Sequence, residues 1–149
     1  MLECTLSQEP LSSGMPMKVY SVTEIAKETG LTAHTLRYYE KEFLLLDVGR
    51  DTGGRRRYQE SHVEAIRFIS ALRATGMPIR TIQQYIELYR QGEHTRNSRM
   101  ELLENHEQAV LTQFSETKKS LKMIRKKIGF YQNLIESSNT RQGIDKLTS

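Results

Sequence analysis

Cysteine is nearly absent: Cys4 is the only one in 149 residues. That excludes an internal disulfide and any cysteine-cluster metal site. Tryptophan is missing, and two of the three prolines fall within the first sixteen residues. No apolar run approaches the ~18 residues that would cross a bilayer. The amino end has no basic stretch followed by an apolar one, so no secretory signal is read there. Charge of either sign is scarcely in excess, with 22 Lys and Arg against 18 Asp and Glu, a formal net charge of +4. Such a balance admits a nucleic-acid partner without requiring one. Apolar residues make up 37%, lean for a chain expected to bury roughly two-thirds of its surface. Either a helix stands exposed or a partner covers it. A cytoplasmic protein is the expectation.

Residues 1–17 have few periodic apolar positions and carry Glu3 and Glu9 without a balancing base until Lys18. They are expected to form a disordered leader, with the Cys4 thiol exposed and unactivated. The first structured segment begins at Ser21, where Ser21-Val22-Thr23-Glu24 forms a capping box. Val22, Ile25 and Ala26 make a helical apolar face, and Gly30 stops it. Thr32 caps a second short helix, whose Ala33, Leu36, Tyr39 and Phe43 recur at helical spacing. Two short helices about Gly30-Leu31 are a helix-turn-helix candidate. In this second helix Leu36, Tyr39 and Phe43 are expected to face inward.

Periodicity breaks between Leu44 and Tyr58. Val48-Gly49-Arg50 and Arg56-Arg57-Tyr58 are strand-compatible, and Asp51-Thr52-Gly53-Gly54 supplies the turn of a hairpin. Helix resumes from Ser61 and ends before Gly76-Met77-Pro78, and a further helix runs from Ile79 to Gly92. From residue 95 to 135 no proline intervenes, and eleven positions from Met100 to Ile135 are spaced alternately by three and four. Nine of them are apolar or aromatic, among them Leu103, Val110, Phe114, Leu121, Ile124, Ile128, Tyr131 and Ile135. An average spacing of 3.5 is the coiled-coil period. The helix would span ~60 Å, too far for residues 21–92 to cover, so two copies are expected to pair through it. Residues 136–149 are expected to be a flexible tail. The fold class is therefore mainly α, a winged helix-turn-helix domain followed by a long dimerisation helix.

The basic groups carry the chemistry. Arg55, Arg56 and Arg57 follow two glycines at the hairpin tip, where their guanidinium groups would project with little nearby acid and grip phosphates. Thr32, His34, Thr35, Arg37, Tyr38 and Lys41 are the polar positions of the second short helix. Its amino end offers early side chains to base edges and backbone N–H groups to phosphate. His34 and Thr35 suit base contact; Arg37 and Tyr38 suit the backbone. A second basic cluster from Lys118 to Lys127 is read as a solvated flank of the long helix. The four histidines follow no metal-ligand spacing, and Gly53-Gly54 lacks the context of a phosphate loop. No catalytic residue, metal ligand or cofactor is assigned.

The strings Tyr20-Ser21-Val22-Thr23-Glu24-Ile25-Ala26, Gly30-Leu31-Thr32, Leu36-Arg37-Tyr38-Tyr39-Glu40 and Gly54-Arg55-Arg56-Arg57-Tyr58, with the Gly76-Met77-Pro78-Ile79 joint, resemble the mercury-resistance-regulator (MerR) family of bacterial transcriptional regulators. The resemblance covers residues 18 to about 135. It implies a homodimer joined by an antiparallel helix pair that binds inverted repeats in promoters. It also implies that the dimer untwists and bends the duplex so that RNA polymerase can read both promoter elements. By the same resemblance Arg37, Tyr38, Arg56 and Tyr58 match phosphate-contacting or contact-supporting positions. Thr32, His34 and Thr35 fall on the side of the recognition helix facing the major groove. Arg55 replaces the aromatic residue common at that wing position. The cysteines of the metal-sensing members are absent, so thiolate capture of a metal is unsupported. The layout is closest to the small aldehyde- or electrophile-responsive members, but their cysteine is missing, leaving any small-molecule effector unidentified. The alternative is a coiled-coil structural or adaptor protein whose winged domain contacts protein.

Overall fold

The computed structural model describes residues 17–145, with side chains to residue 142. Cys4 and the leader up to residue 16 lie outside the described residues, as do the last four residues of the chain. Five α-helices, three short strands and one 3-10 turn make up the described chain: β1 (Val19–Tyr20), α1 (Val22–Thr29), α2 (Ala33–Lys41), β2 (Gly49–Arg50), β3 (Arg56–Gln59), α3 (Glu60–Ala74), α4 (Ile79–Gln91), the 3-10 turn Glu93–Thr95, and α5 (Arg96–Asp145). By internal contacts the chain divides between Leu102 and Leu103 into two units.

The first unit is built around local signals the chain carries itself. Ser21 Oγ accepts the Glu24 N–H at 3.2 Å while the Glu24 carboxylate accepts the Ser21 N–H at 2.7 Å. Two orphan donors of α1 are thereby satisfied. Gly30, at φ 73°, closes α1 in the left-handed region where a Cβ is unwelcome. Thr32 caps α2 by accepting the Thr35 N–H at 3.1 Å. The expected hairpin forms between β2 and β3, but it gains a third strand. β1 pairs antiparallel with β3 on the other side, giving the order β1-β3-β2. Ile25, Leu36, Tyr58, Val63, Ile66 and Ile82 are fully buried beneath this small sheet and the helices.

Phe43 departs from its expected inward position: it is 79% exposed. The helical spacing from Leu36 and Tyr39 stops counting at Lys41, where α2 ends. The Phe43 N–H donates to the Glu40 carbonyl at 3.0 Å and the Leu44 N–H to the Tyr39 carbonyl at 2.9 Å. That is a Schellman reversal. It holds Phe43 at φ 57° and swings its ring off the α2 face. Leu44, 1% exposed, takes the core place instead.

In the second unit α5 runs to Asp145, ten residues beyond the expected end at Ile135, so the expected flexible tail is helical through that point. The added segment contains no proline. Its Ser137, Ser138 and Thr140 hydroxyls donate to carbonyls four residues back, at 2.8, 2.9 and 2.9 Å, satisfying their polarity within the helix. None of the described helices is long and apolar enough to cross a membrane.

Candidate nucleic-acid interface

Helix α2 has two unlike sides. Leu36 and Tyr39 are buried, while His34, Arg37, Tyr38 and Lys41 are exposed. These four fall at i, i+3, i+4 and i+7, one continuous outward stripe. Thr32 and Thr35 close the amino end of the stripe, their hydroxyls 3.0 Å apart. Thr32 is exposed and Thr35 half-buried. Neither Arg37 nor Lys41 is held in an ion pair among the described residues. The helix thus offers donors and positive charge outward, with free N–H groups at its start.

The three wing arginines are not equivalent, which corrects the expectation of three guanidinium groups projecting away from acid. Only Arg55, at the tip, is exposed and outside any ion pair among the described residues. Arg57 donates through Nε and Nη2 to Asp51 Oδ2, at 3.2 and 2.9 Å. Asp51 Oδ1 meanwhile accepts the backbone N–H groups of Gly53 and Arg55, both at 2.9 Å. One aspartate therefore shapes the turn and holds an arginine. The Arg55 N–H, then the Arg57 guanidinium, keep the Asp51 carboxyl below its ordinary range. Arg56 reaches the other way, its Nε 2.5 Å from Glu40 Oε2 on α2.

Tyr58 is 0% exposed, so it cannot itself touch a nucleic acid. Its hydroxyl donates to Glu40 Oε1 at 2.7 Å. Burial, then this hydrogen bond, raises the Tyr58 pKa and keeps the phenol protonated. Of the two roles the resemblance offered, direct contact is lost and support remains. Strand alternation explains the geometry: Arg56 and Tyr58 are two apart on β3 and point to one face. A single carboxylate therefore ties the wing to α2 through both.

Sequence reasoning missed Glu40 and Asp51 as organisers of this surface. The period-two spacing of Arg56 and Tyr58 was visible. Their common acid, sixteen and eighteen residues earlier on a helix, was not. Among the described residues no group of His, Cys, Asp and Glu could hold a metal ion.

On α5 the expected dimerisation positions lie open. Leu103 and Val110 are half-buried, whereas Phe114, Leu121, Ile124, Ile128, Tyr131 and Ile135 are exposed. Phe114 is 66% exposed and Ile135 61%, an arrangement a lone helix in water does not favour. The Lys118–Lys127 cluster is exposed throughout.

Residues 20–88 match the MerR HTH family regulatory protein family, and residues 63–127 match the MerR, DNA binding family. An uncharacterized HTH-type transcriptional regulator of Haemophilus influenzae is 35% identical over 113 residues, covering 76% of this chain and 84% of that protein. Among solved structures, HiNmlR, a MerR family regulator lacking the sensor domain and bound to promoter DNA, superposes with a TM-score of 0.73 at 34% identity. That match covers 78% of this chain and 92% of the other. A MerR family transcriptional regulator from Listeria monocytogenes gives a TM-score of 0.81 at 27% identity, over 87% of this chain and 99% of the other.

Proposed function

Since the chain belongs to the MerR family of HTH regulatory proteins, and so is a DNA-binding transcriptional regulator, we propose that it binds an inverted-repeat promoter site as a homodimer and distorts the duplex to control transcription. It acts in the cytoplasm, without catalysis of its own, and meets RNA polymerase at the promoter. The observation that carries this reading is the outward stripe of His34, Arg37, Tyr38 and Lys41, locked to the wing through Glu40. Two rigidly joined elements can enter one groove and grip its backbone together.

His34, with Thr32 and Thr35 behind it, reads base edges. Arg37, Tyr38, Lys41, Arg55 and Arg56 hold phosphates, which fixes register but carries little sequence information. Tyr58 and Arg57 act as supports, through Glu40 and Asp51. Deforming the duplex between two half-sites costs energy that contacts at both ends offset, so the spacer must be stiff. Paired α5 helices meet that need.

The charges on α5 favour an antiparallel pair. Residues 100–116 carry four glutamates and no Lys or Arg; residues 117–135 carry six Lys and Arg and no acid. An antiparallel pair sets each acidic half beside a basic one, whereas a parallel pair stacks six cations on six.

Gel shift against the protein's own promoter region, with salt raised stepwise, tests the reading. Retardation of a specific duplex, weakening linearly in log salt, is expected. No retardation even at ~50 mM salt, where phosphate contacts count strongly, would overturn it.

A further inference from the structure

Two of the eleven seam positions on α5 are not apolar: Thr117 and Glu107. A carboxylate in a seam that closes on a second helix loses water, and it needs a cation in return. Its own helix cannot supply one. Side chains meet along a helix at spacings of three and four, and around Glu107 these are Leu103, Glu104, Val110 and Leu111. Arg125 stands in the mirror situation, with Leu121, Lys122, Ile128 and Gly129 at the same spacings. Both side chains are exposed, and neither enters an ion pair among the described residues. Each charge is left to be answered by another helix.

With the two seam positions of each heptad named a and d, Glu107 is an a and Ile124 a d, while Glu104 and Arg125, one residue past a d, are e. In a parallel pair a faces a and e lies beside g. Glu107 would then meet its own copy and Arg125 would meet Ser120, so neither charge is answered. In an antiparallel pair a faces d and e lies beside e. The acidic stretch of α5 gives way to the basic one between residues 116 and 117. Folding one copy onto the other about that point brings Glu107 level with residue 126, and the nearest layer of a on d sets it across from Ile124. Arg125 of the partner subunit then lies between Glu104 and Glu107. A slip of one heptad breaks this match. In one direction Glu107 faces Tyr131, whose neighbouring e position is the uncharged Gln132; in the other it faces Thr117, and Arg125 passes beyond both glutamates.

We propose that Arg125 of the partner subunit docks between Glu104 and Glu107, and that this charged clasp, made twice in the pair, fixes the direction and register of the α5 seam. The inference rests on the antiparallel homodimer proposed above. A planar guanidinium, with donors on two edges, suits a place between two carboxylates. Register matters because the DNA-binding units are joined to the amino ends of α5. A slip of one heptad shifts those two ends by about 10 Å relative to one another. The clasp thereby sets which spacing of half-sites the dimer accepts.

The test is a charge exchange read by sedimentation equilibrium on the full-length chain. Glu107→Lys and Arg125→Glu are each expected to weaken the dimer about tenfold, and the two together to return it to within about threefold of the unchanged chain. Single variants without loss, or losses that simply add in the double variant, overturn the clasp and leave the homodimer standing. A monomeric mass for the unchanged chain overturns both. Oxidation reads the register separately, in a Cys4→Ser background that removes the single cysteine. Val110→Cys with Leu121→Cys is expected to give a covalent dimer on a non-reducing gel, because these positions face each other in the proposed register. Within one helix they lie about 16 Å apart and cannot link. Val110→Cys alone, which a parallel pair would join, is expected to give no dimer, and neither is Val110→Cys with Ile128→Cys, which face each other after a slip. No link in the first variant, or a link in either of the others, overturns the proposal.

Discussion

Glu40→Ala is the perturbation that reads the structure most directly, because one carboxylate serves two partners. The Tyr58 hydroxyl, fully buried, loses its acceptor, and a hydrogen bond to a charged group contributes about 1.5–3 kcal/mol. The Arg56 pair, with side chains 29% and 18% exposed, is partly screened and adds about 0.5 kcal/mol. The expected loss is therefore about 2–3 kcal/mol. With a slope of about 1 kcal/mol per molar urea, that moves the unfolding midpoint down by about 2–3 M, at fixed protein concentration because pairing is linked to folding. Tyr58→Phe alone should cost about 1.5–3 kcal/mol, because it removes the same bond. The double variant should cost less than the sum of the two by about that amount, since the bond is lost only once.

The same variant separates positioning from charge in DNA binding. Removing Glu40 raises the positive charge of the surface and frees Arg56, so attraction to any duplex holds or grows. The wing is no longer tied to α2, so operator affinity is expected to fall about tenfold. Gel shifts on the operator and on an unrelated duplex at one salt concentration give both numbers. A midpoint shift below about 0.5 M, or equal losses on both duplexes, would refute the tie between wing and helix.

Arg56→Ala is expected to weaken binding to operator and unrelated duplexes alike and to lower the salt slope by about 0.9; a loss confined to one sequence would refute a phosphate role. His34→Ala is expected to reorder preferences across an operator library at similar overall affinity, and unchanged relative affinities would refute base reading. Asp51 is held below its ordinary value of 3.8, so its contribution is present above that pH and is lost as pH falls through the lower folded value. Asp51→Asn should therefore flatten the acid limb of a stability–pH curve. Tyr58 is raised above its ordinary value of 10.0, so its contribution is full below pH 10 and falls as pH rises further. Tyr58→Phe should shrink that alkaline loss; an unchanged limb would refute the buried phenol.

What could be read from the chain was what the chain decides locally. The Ser21–Glu24 box, the Thr32 cap and the stop at Gly30 each involve residues within a turn of one another. Along α5 one spacing recurs from Met100 to Ile135, so no single exception could hide the helix. Phe43 failed because helical spacing was counted past the true end of α2, where Leu44 competes for the same core position. Strand β1 went unread because two residues carry no period. Its pairing with β3 bridges forty residues of chain. The wing arginines looked alike because composition records type and not partner. Alternation along β3 sends Arg56 to Glu40, while Arg57 folds back on Asp51.

That sorting has a physical sense for a protein that must hold a flexible, charged ligand in one register. A free arginine gives up side-chain entropy when it takes a phosphate, roughly 0.5–1.5 kcal/mol for each side chain immobilised. Arg56 has already given it up: its Nε is spent on Glu40. On the proposed role it meets phosphate ready-oriented. Arg57, held through Nε and Nη2, is spent on the turn. Arg55 alone at the tip keeps its freedom, which suits a backbone whose position shifts as the duplex bends. A wing of three free arginines would bind DNA as well by charge, but it would not say where the helix must sit.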